Sequence, residues 1–248
     1  MERRQTQETA SSRGPLSPAE PVELSVALPE RPSGSGLFVE PKGPAIPARP
    51  VAPPALDADI FSHDEIVTAR LRIRPLHASD RSAYTEALRR SRDQLAAALP
   101  MFAPDETPEA AFDRHLAQSD EGRRTARAWR RIAEDHEGRL IGGVAIRGIE
   151  RGLVQRGEFV VWVDSARTGA GFGAEVARAA LRFATLPLPE GLGLDQILGM
   201  ALPHNLASRR MLRAAGFEPR PSEDGALELN GRREHHIAYA FEAPVLAF

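Results

Sequence analysis

Residues 165–174, SARTGAGFGA, place three alternating glycines between an apolar run, FVVWV, and a helical-looking segment, AEVARAALRFA. Glycine lets a ligand approach the backbone without a Cβ in the way. The N–H groups at the start of a helix have no partner within it, and the helix dipole adds partial positive charge there. This stretch therefore predicts a phosphate site between a strand and a helix, and three kinds of ligand fit such a turn.

Two of the three alternatives disagree with the residues around the turn. A nucleotide P-loop needs a lysine for the terminal phosphates, and the run contains none. Gly169, Gly171 and Ala174 do satisfy the G-x-G-x-x-[GA] pattern of a dinucleotide site. However, DSART separates the strand from the first glycine, and the next strand, DQILGMAL, ends in Pro203 and His204 instead of an acidic residue. The third alternative is a coenzyme A site.

The composition is that of an ordinary globular protein, with 42% hydrophobic and 27% charged residues in 248. A net charge of −2 gives no general reason to bind nucleic acid or an anionic membrane. The chain has no cysteine, which excludes disulfides, thiolate metal sites and a cysteine nucleophile. It shows no apolar leader segment and no run near the roughly 20 apolar residues of a membrane span. We therefore expect a cytoplasmic protein with no metal ion, no nucleic-acid partner and no membrane association.

Residues 1–61 differ from the rest, because they hold eleven of the 21 prolines. Proline removes amide donors and resists both helix and sheet. Such a segment buries too little apolar surface to offset the entropy of ordering it. It predicts a disordered tail, with a recognition motif for a proline-binding partner as the alternative.

Residues 62–248 follow an order of patterns that predicts a mixed α/β domain. IVTARLRIRPL predicts one strand that ends at Pro75, and DRSAYTEALRRSRDQLAAALP and TPEAAFDRHLAQS predict two helices. TARAWRRIAE, RLIGGVAIRGI and EFVVWV predict an antiparallel meander. After the glycine turn come a helix, GAEVARAALRFA, a strand, DQILGMAL, a helix, HNLASRRMLRAAGF, and a hairpin, ALELNGRREHHIAYAF, with NG as its turn.

Two of these motifs, VDSARTGAGFGAEVARAAL and HNLASRRMLRAAGF, resemble by their order and distance the GNAT family of acyl-CoA-dependent N-acyltransferases. The likeness is to the RimJ/RimL-type branch, the ribosomal-protein N-acetyltransferases and their relatives. It runs from about Ile66 to Ala243 and includes LRIRPL, GGVAIRGI and NGRREHHIAYAF. The resemblance implies an α+β GNAT fold, with a mostly antiparallel twisted sheet flanked by helices. It also implies transfer of an acetyl group from acetyl-CoA to a primary amine, by direct attack in a ternary complex.

In the family, the glycine turn and the helix after it hold the coenzyme A pyrophosphate. The resemblance implies that the corresponding residues here are Arg167, Thr168, Gly169, Ala170, Gly171, Phe172 and Gly173. It also implies that the backbone of Val161 and Val163 pairs with the pantetheine arm in a gap between two strands, and that Asn205 binds a pantetheine amide. Thr168 departs from the glutamine or arginine of the family. Either Arg167, one residue early, reaches round to the phosphates or Thr168 supplies a weaker neutral contact.

Two residues match positions that carry the chemistry in the family. Glu158, at the start of EFVVWV, would take the amine proton through a water, helped by partial burial, and a strand N–H would stabilise the developing oxyanion. Ser208, in the N-x-x-S of the second motif, would lie near the sulfur and protonate it. The alternatives are an edge-strand glutamate paired with an arginine, and helix capping by Asn205 or Ser208.

The acceptor amine is the least constrained feature: a protein N-terminus, a lysine, an amino acid, a polyamine or an antibiotic would each fit. We expect the two early helices and the loop LPMFAPDETPE to build the acceptor side, with Leu99, Met101 and Phe102 as an apolar lip. His235 and His236 are adjacent, so on a strand they point to opposite faces, which does not suit a metal. The alternative to an enzyme is a non-catalytic module that binds acyl-CoA or a partner on the same fold.

Overall fold

A computed structural model of the protein describes residues 65–229 and 231–244. The predicted proline-rich tail, 1–61, and Asn230 of the predicted NG turn lie outside these residues. The hairpin around that turn is confirmed, because its two strands pair as far as Leu229 beside Arg232.

Nine strands pair within the described residues, in the order β1-β2-β3-β4-β5-β6-β9-β7, with β8 paired to β9. Their bounds are Ile66–Val67 (β1), Leu71–Arg74 (β2), Trp129–Asp135 (β3), Leu140–Glu150 (β4), Arg156–Val163 (β5), Gln196–Ala201 (β6), Glu218–Pro219 (β7), Gly225–Leu229 (β8) and Arg232–Glu242 (β9). Every neighbouring pair is antiparallel except β5 and β6, which are parallel. The predicted meander is therefore confirmed as β3, β4 and β5.

Helices cover both faces of the sheet and create two apolar cores. In the described part of the chain they are Arg81–Arg90 (α1), Arg92–Ala96 (α2), Pro108–Thr125 (α3), Phe172–Thr185 (α4) and Leu206–Ala215 (α5). The buried side chains Val176, Ala180 and Phe183 form an apolar stripe on α4, which packs with α5 on one face. Side chains of α1, α2 and α3, among them Phe112, form the second core with Trp162 on the other face.

Two successive glycines let β4 approach β5 closely. A Cβ on Gly142 would meet the carbonyl oxygen of Trp162, and a Cβ on Gly143 would lie 2.5 Å from the Trp162 indole Nε1. The indole is buried and packs edge-on against Tyr84 of α1, with ring centroids 5.3 Å apart. The GGVAIRGI motif thus fixes β5 against its neighbour.

Two predicted elements are divided in the structure. The run predicted as one strand forms β1 and β2, because Thr68 turns the chain and its hydroxyl accepts from the Leu71 N–H at 3.0 Å. The helix predicted after Pro75 is interrupted at Ser91. The Ser91 side chain is buried there, and its Oγ accepts from the Ser165 N–H at 2.8 Å. Both breaks depend on side-chain hydrogen bonds, which hydrophobic periodicity cannot predict.

Candidate active site

The glycine turn joins β5 to α4 through a single 3-10 turn and two glycines. Asp164 begins it, because its carboxylate accepts from the Ala166 N–H at 3.1 Å and caps the 3-10 turn Ser165–Arg167. Gly169 and Gly171 then adopt φ of +81° and +79°, a conformation that residues with a Cβ rarely adopt. The chain is thereby turned so that the start of α4 faces outward.

The start of α4 is an anion site by the geometry of its backbone. Gly171 is the N-cap and has no side chain to cap the helix. The first bonded N–H is that of Glu175, which donates to the Gly171 carbonyl at 3.2 Å. Among the described residues, the N–H groups of Phe172, Gly173 and Ala174 have no acceptor. Free N–H donors at the positive end of a helix dipole suit a phosphate.

The two side chains considered for the phosphate differ in availability. The Thr168 hydroxyl donates to the Ser165 carbonyl at 3.0 Å, so its hydrogen is used inside the turn. The Arg167 side chain is half-buried and forms no hydrogen bond or ion pair with any residue that the structure describes. The cation, and not the hydroxyl, is therefore free to contact a ligand.

A clamp that sequence reasoning missed holds the turn from outside. The Arg70 guanidinium donates to the Ala170 carbonyl at 3.0 Å and to the Glu175 carboxylate at 2.7 Å, and it lies 4.5 Å above the Phe172 ring. The Thr68 hydroxyl donates to the same carboxylate at 2.6 Å. Burial raises the pKa of Glu175, but the bonds from Thr68 and Arg70 outweigh it and hold that pKa below its ordinary value. No sequence motif signals contacts 105 residues apart.

β5 and β6 separate toward the glycine turn. Their parallel pairing ends with Phe159 beside Gly199. Residues 160–163 pair with β4 alone. The divergence implied by the resemblance is therefore present, and the backbone of Val161 and Val163 borders the opening.

The first turn of α5 follows β6 and presents the two polar residues of the second motif. Asn205 is the N-cap, and its Oδ1 accepts from the Ser208 N–H at 3.0 Å, while its Nδ2 donors have no acceptor among the residues that the structure describes. The Ser208 hydroxyl is half-buried and has no partner within the described ranges. Capping by Asn205 is confirmed, and capping by the Ser208 side chain is wrong because the cap position is already taken.

Glu158 lies on β5, beside Arg147 of β4, its register partner. Its side chain is 59% exposed, and its Oε2 accepts from the Arg147 Nε at 3.1 Å. The expected partial burial is wrong, because the Glu158 side chain lies on the exposed face of β5 while its neighbour Gly157 is buried. The arginine pair considered as an alternative is present. An exposed carboxylate can still exchange protons with water directly.

Two cavities open beside the sheet among the described residues, and neither is lined by the loop LPMFAPDETPE. One of about 380 Å³ lies among α2, the end of β6 and the β8–β9 hairpin, and is lined by Ala97, Leu202, His204, Leu229, Arg232 and Glu234. One of about 560 Å³ lies where the end of α3 meets β3 and β4, and is lined by Gln118, Glu121, Gly122, Thr125, Arg127, Ala128, Arg130, Arg147 and Gly148. The predicted apolar lip is wrong, because Met101 is buried in the second core and Leu99 and Phe102 pack against it.

The described residues contain no group of three or more His, Asp or Glu side chains placed to hold a metal ion. In the same part of the chain, no helix has the length and apolar character needed to cross a membrane. His235 is exposed and His236 is buried, so the two face opposite sides of β9 as predicted.

Comparison with known families decides between the interpretations of this fold. A family model described as an acetyltransferase (GNAT) domain matches residues 70–218. The chain belongs to the GNAT family. The match begins at Arg70 of the clamp and includes the glycine turn, the gap between β5 and β6, and the start of α5.

Several proteins are similar to this GNAT chain. It is 32% identical to the probable N-acetyltransferase YjcK of Bacillus subtilis (strain 168) over 106 residues, 43% of this chain and 56% of that protein. The ribosomal-protein-S5-alanine acetyltransferase of Vibrio fischeri is similar with a TM-score of 0.63 and 22% identity, over 74% of this chain and 98% of that one. Mycobacterium smegmatis RimJ in complex with CoA-disulfide is similar with a TM-score of 0.61 and 21% identity, over 71% of this chain and 83% of that one. These structures confirm the predicted GNAT fold.

Proposed function

We propose that this GNAT protein transfers an acetyl group from acetyl-CoA to a primary amine. The observation that carries the proposal is the gap between β5 and β6, which opens toward the free N–H groups at the start of α4. A pyrophosphate bound at those groups would let the pantetheine arm enter the gap and bring its thioester to the point where the strands begin to pair. The family of the chain, and the CoA-disulfide named with Mycobacterium smegmatis RimJ, support the same donor.

The backbone would supply most of the pyrophosphate contacts. Residues 169–174 provide the two positive-φ glycines and the free N–H groups. Arg167 would add the positive charge that the family places at the position of Thr168. Its guanidinium has no partner within the described residues, whereas the Thr168 hydroxyl already donates to the Ser165 carbonyl. Such a site binds its anion through backbone N–H groups and the helix dipole, with little dependence on the identity of the side chains.

The arm would lie along the unpaired edge of β5. The backbone of Val161 and Val163 would pair with its amides, as β6 would have done had the two strands stayed together. Asn205 would donate from its free Nδ2 while its Oδ1 caps α5. The same contacts would place the sulfur near the Ser208 hydroxyl, one helical turn along.

The chemical step would be direct attack of a neutral amine on the thioester carbonyl. The C–N bond forms first, which moves the carbonyl π electrons onto oxygen, and a strand N–H stabilises this oxyanion; the carbonyl then re-forms as the C–S bond breaks and the thiolate leaves. Glu158 takes the proton of the amine through a water, since its carboxylate is exposed to solvent. Ser208 gives a proton to the departing thiolate and regains one from water. No covalent enzyme intermediate is needed.

Thiol release from acetyl-CoA across a panel of primary amines tests the proposal. We expect turnover with at least one amine, and a fall in kcat of about a hundredfold in Glu158→Gln, the usual scale for loss of a general base. Ser208→Ala should lower kcat by about tenfold, because a thiolate leaves readily and positioning supplies much of the rate. Glu150→Gln is the matched control, because Glu150 pairs with Arg156 on the same two strands and is 56% exposed.

Two outcomes would contradict the proposal at different points. Coenzyme binding without turnover of any amine would favour a non-catalytic acyl-CoA-binding module. A chain that binds no coenzyme A would overturn the donor itself.

The acceptor, a protein N-terminus or a small amine, would approach from the face of the sheet that carries α1 and α3, where the larger cavity opens. The proposed location is the cytoplasm, because a chain without cysteine fits a reducing compartment.

A further inference from the structure

The cavity of about 560 Å³ is an open surface pocket whose volume lies in the range of small-molecule sites, and its wall has an excess of cationic side chains. Arg127, Arg130 and Arg147 line it, against one carboxylate, Glu121. Glu121 already pairs with Arg124 at 2.5 Å and Arg147 pairs with Glu158, so Arg127 and Arg130 are left without a carboxylate among the described residues. The wall therefore carries a net positive charge.

Arg130 is the cation whose placement points to a ligand. Its Nε is buried and has no hydrogen-bond partner in the part of the chain that the structure describes. Burial, and then the charge of Arg147, lower the pKa of Arg130, yet a guanidinium stays protonated at neutral pH. Arg130 is half-buried, and a buried guanidinium N–H without an acceptor is unfavourable, so an anion in the cavity would supply the missing partner.

Arg147 connects this cavity to Glu158. It lines the cavity and also donates from Nε to the Glu158 carboxylate at 3.1 Å. Gly148, another lining residue, lies so close that a Cβ built on it would be 3.9 Å from the Glu158 Cδ. The carboxylate proposed as the base therefore stands at the rim of an arginine-lined cavity.

We infer that this cavity binds a carboxylate of the acceptor, so that the preferred substrate is a small primary amine that carries a carboxylate a few atoms away. A guanidinium fork matches a carboxylate in shape and charge, and Arg130 and Arg127 are the two lining arginines with no ion pair to any described residue. An acceptor held in this way presents its amine at the rim, beside Glu158. The inference rests on the proposed acetyl transfer and names its substrate class.

The test compares ω-amino acids of two to five methylenes with their carboxamides and with the corresponding phosphonates. For the best chain length, we expect kcat/KM for the carboxylate to exceed that for the carboxamide by at least about tenfold, the scale of a hydrogen-bonded charge. Arg130→Gln should reduce this ratio to about twofold or less, and Arg127→Gln should reduce it less, because Arg127 lies exposed at the mouth. Arg123→Gln is the matched control. Arg123 lies near the end of α3, beside the cavity, but it pairs with Asp120 and does not line the cavity.

A binding measurement separates this inference from the proposed function. Titration of tryptophan fluorescence with glutarate, a dicarboxylate without an amine, should saturate in the wild-type chain and not in Arg130→Gln. Acetylation of amines with no carboxylate preference and no glutarate binding would overturn the inference alone. A preference for phosphonate over carboxylate would overturn the carboxylate assignment. Glutarate binding without acetylation of any amine would count against the proposed function and leave the anion site standing.

Discussion

The two ligand-facing regions of the molecule are built in opposite ways. In the glycine turn most side chains are engaged, with Thr168 bonded to Ser165 and Arg70 bonded across to Ala170, and the backbone N–H groups are free. In the arginine cavity the backbone of β3 and β4 is paired, and Arg127 and the Nε of Arg130 have no partner among the described residues. The proposed donor site therefore depends on main-chain geometry, whereas the proposed acceptor site depends on a few side chains.

The engaged side chains also make the turn rigid. Asp164 is 2% exposed and pairs with Arg90 at 2.6 Å, while Ser91 donates to it at 3.3 Å. Burial raises the pKa of Asp164, but these hydrogen bonds and that of the Ala166 N–H hold it below its ordinary value. A donor site of this kind can serve one unchanging ligand while the opposite side of the sheet changes its specificity.

The largest expected effect is a loss of stability in acid that comes from a buried histidine on the face of the sheet that carries α1 and α3. His115 of α3 is 9% exposed, its Nδ1 lies 3.0 Å from the Tyr84 hydroxyl, and burial with the charges of Arg114 and Arg130 lowers its pKa from 6.5 to about 4. The unfolded chain binds this proton at higher pH, so stability is complete above pH 6.5 and is lost as pH falls toward 4. We expect the free energy of unfolding to fall by about 3 kcal/mol over this range on account of His115.

Urea unfolding between about pH 7 and pH 4 measures this effect, with His115→Gln expected to lose most of that pH dependence. His235→Gln is the control, because His235 is 59% exposed. Equal pH dependence in wild type and His115→Gln would place the acid-sensitive group elsewhere.

The next effect separates strain in a turn from loss of a ligand contact. Gly171 and Gly138 both have φ of +79°, and a Cβ added at either would meet no atom closer than 3.8 Å, but Gly138 lies in the β3–β4 turn and not in the segment that carries the free N–H groups. Gly171→Val and Gly138→Val should each cost about 1–2 kcal/mol of stability. Only Gly171→Val should weaken coenzyme A binding, by about 2 kcal/mol, because displaced N–H groups lose charge-assisted bonds to the phosphates.

Calorimetric titration with coenzyme A, alongside urea unfolding, measures both quantities. A loss of binding in Gly138→Val as large as that in Gly171→Val would mean that general destabilisation, and not the turn, controls coenzyme affinity.

The smallest effect tests whether the clamp positions the donor. Arg70→Met removes the bonds to Ala170 and Glu175, and we expect the Kd for coenzyme A to rise about fivefold, near 1 kcal/mol, with little change in kcat. Arg72→Met is the matched control, since Arg72 lies two residues along on β2 and pairs with Glu65 instead. A change confined to kcat, or an equal rise in Kd for both variants, would remove Arg70 from the donor site.

The sequence and the structure agree where function depends on local backbone. The glycine turn, the meander and the Asn205 cap each depend on residues that are neighbours along the chain, so spacing alone predicts them. The features that the sequence did not predict depend instead on residues that are far apart along the chain. The Thr68–Arg70 clamp, the break at Ser91 and the arginine cavity join side chains from distant segments, and their contacts depend on strand register and helix placement that periodicity does not contain.

The glycine pair Gly142 and Gly143 has a mechanical consequence. Gly142 and Gly143 of β4 pack directly on the carbonyl and indole of Trp162, so the wall of the gap that carries Val161 and Val163 has little room to move. Any widening of the gap to admit a coenzyme must then come from the other wall, where β6 is bonded to β9 and leads into α5. We expect β6 and the start of α5 to move together when the coenzyme enters the gap, so that its entry also shifts Ser208.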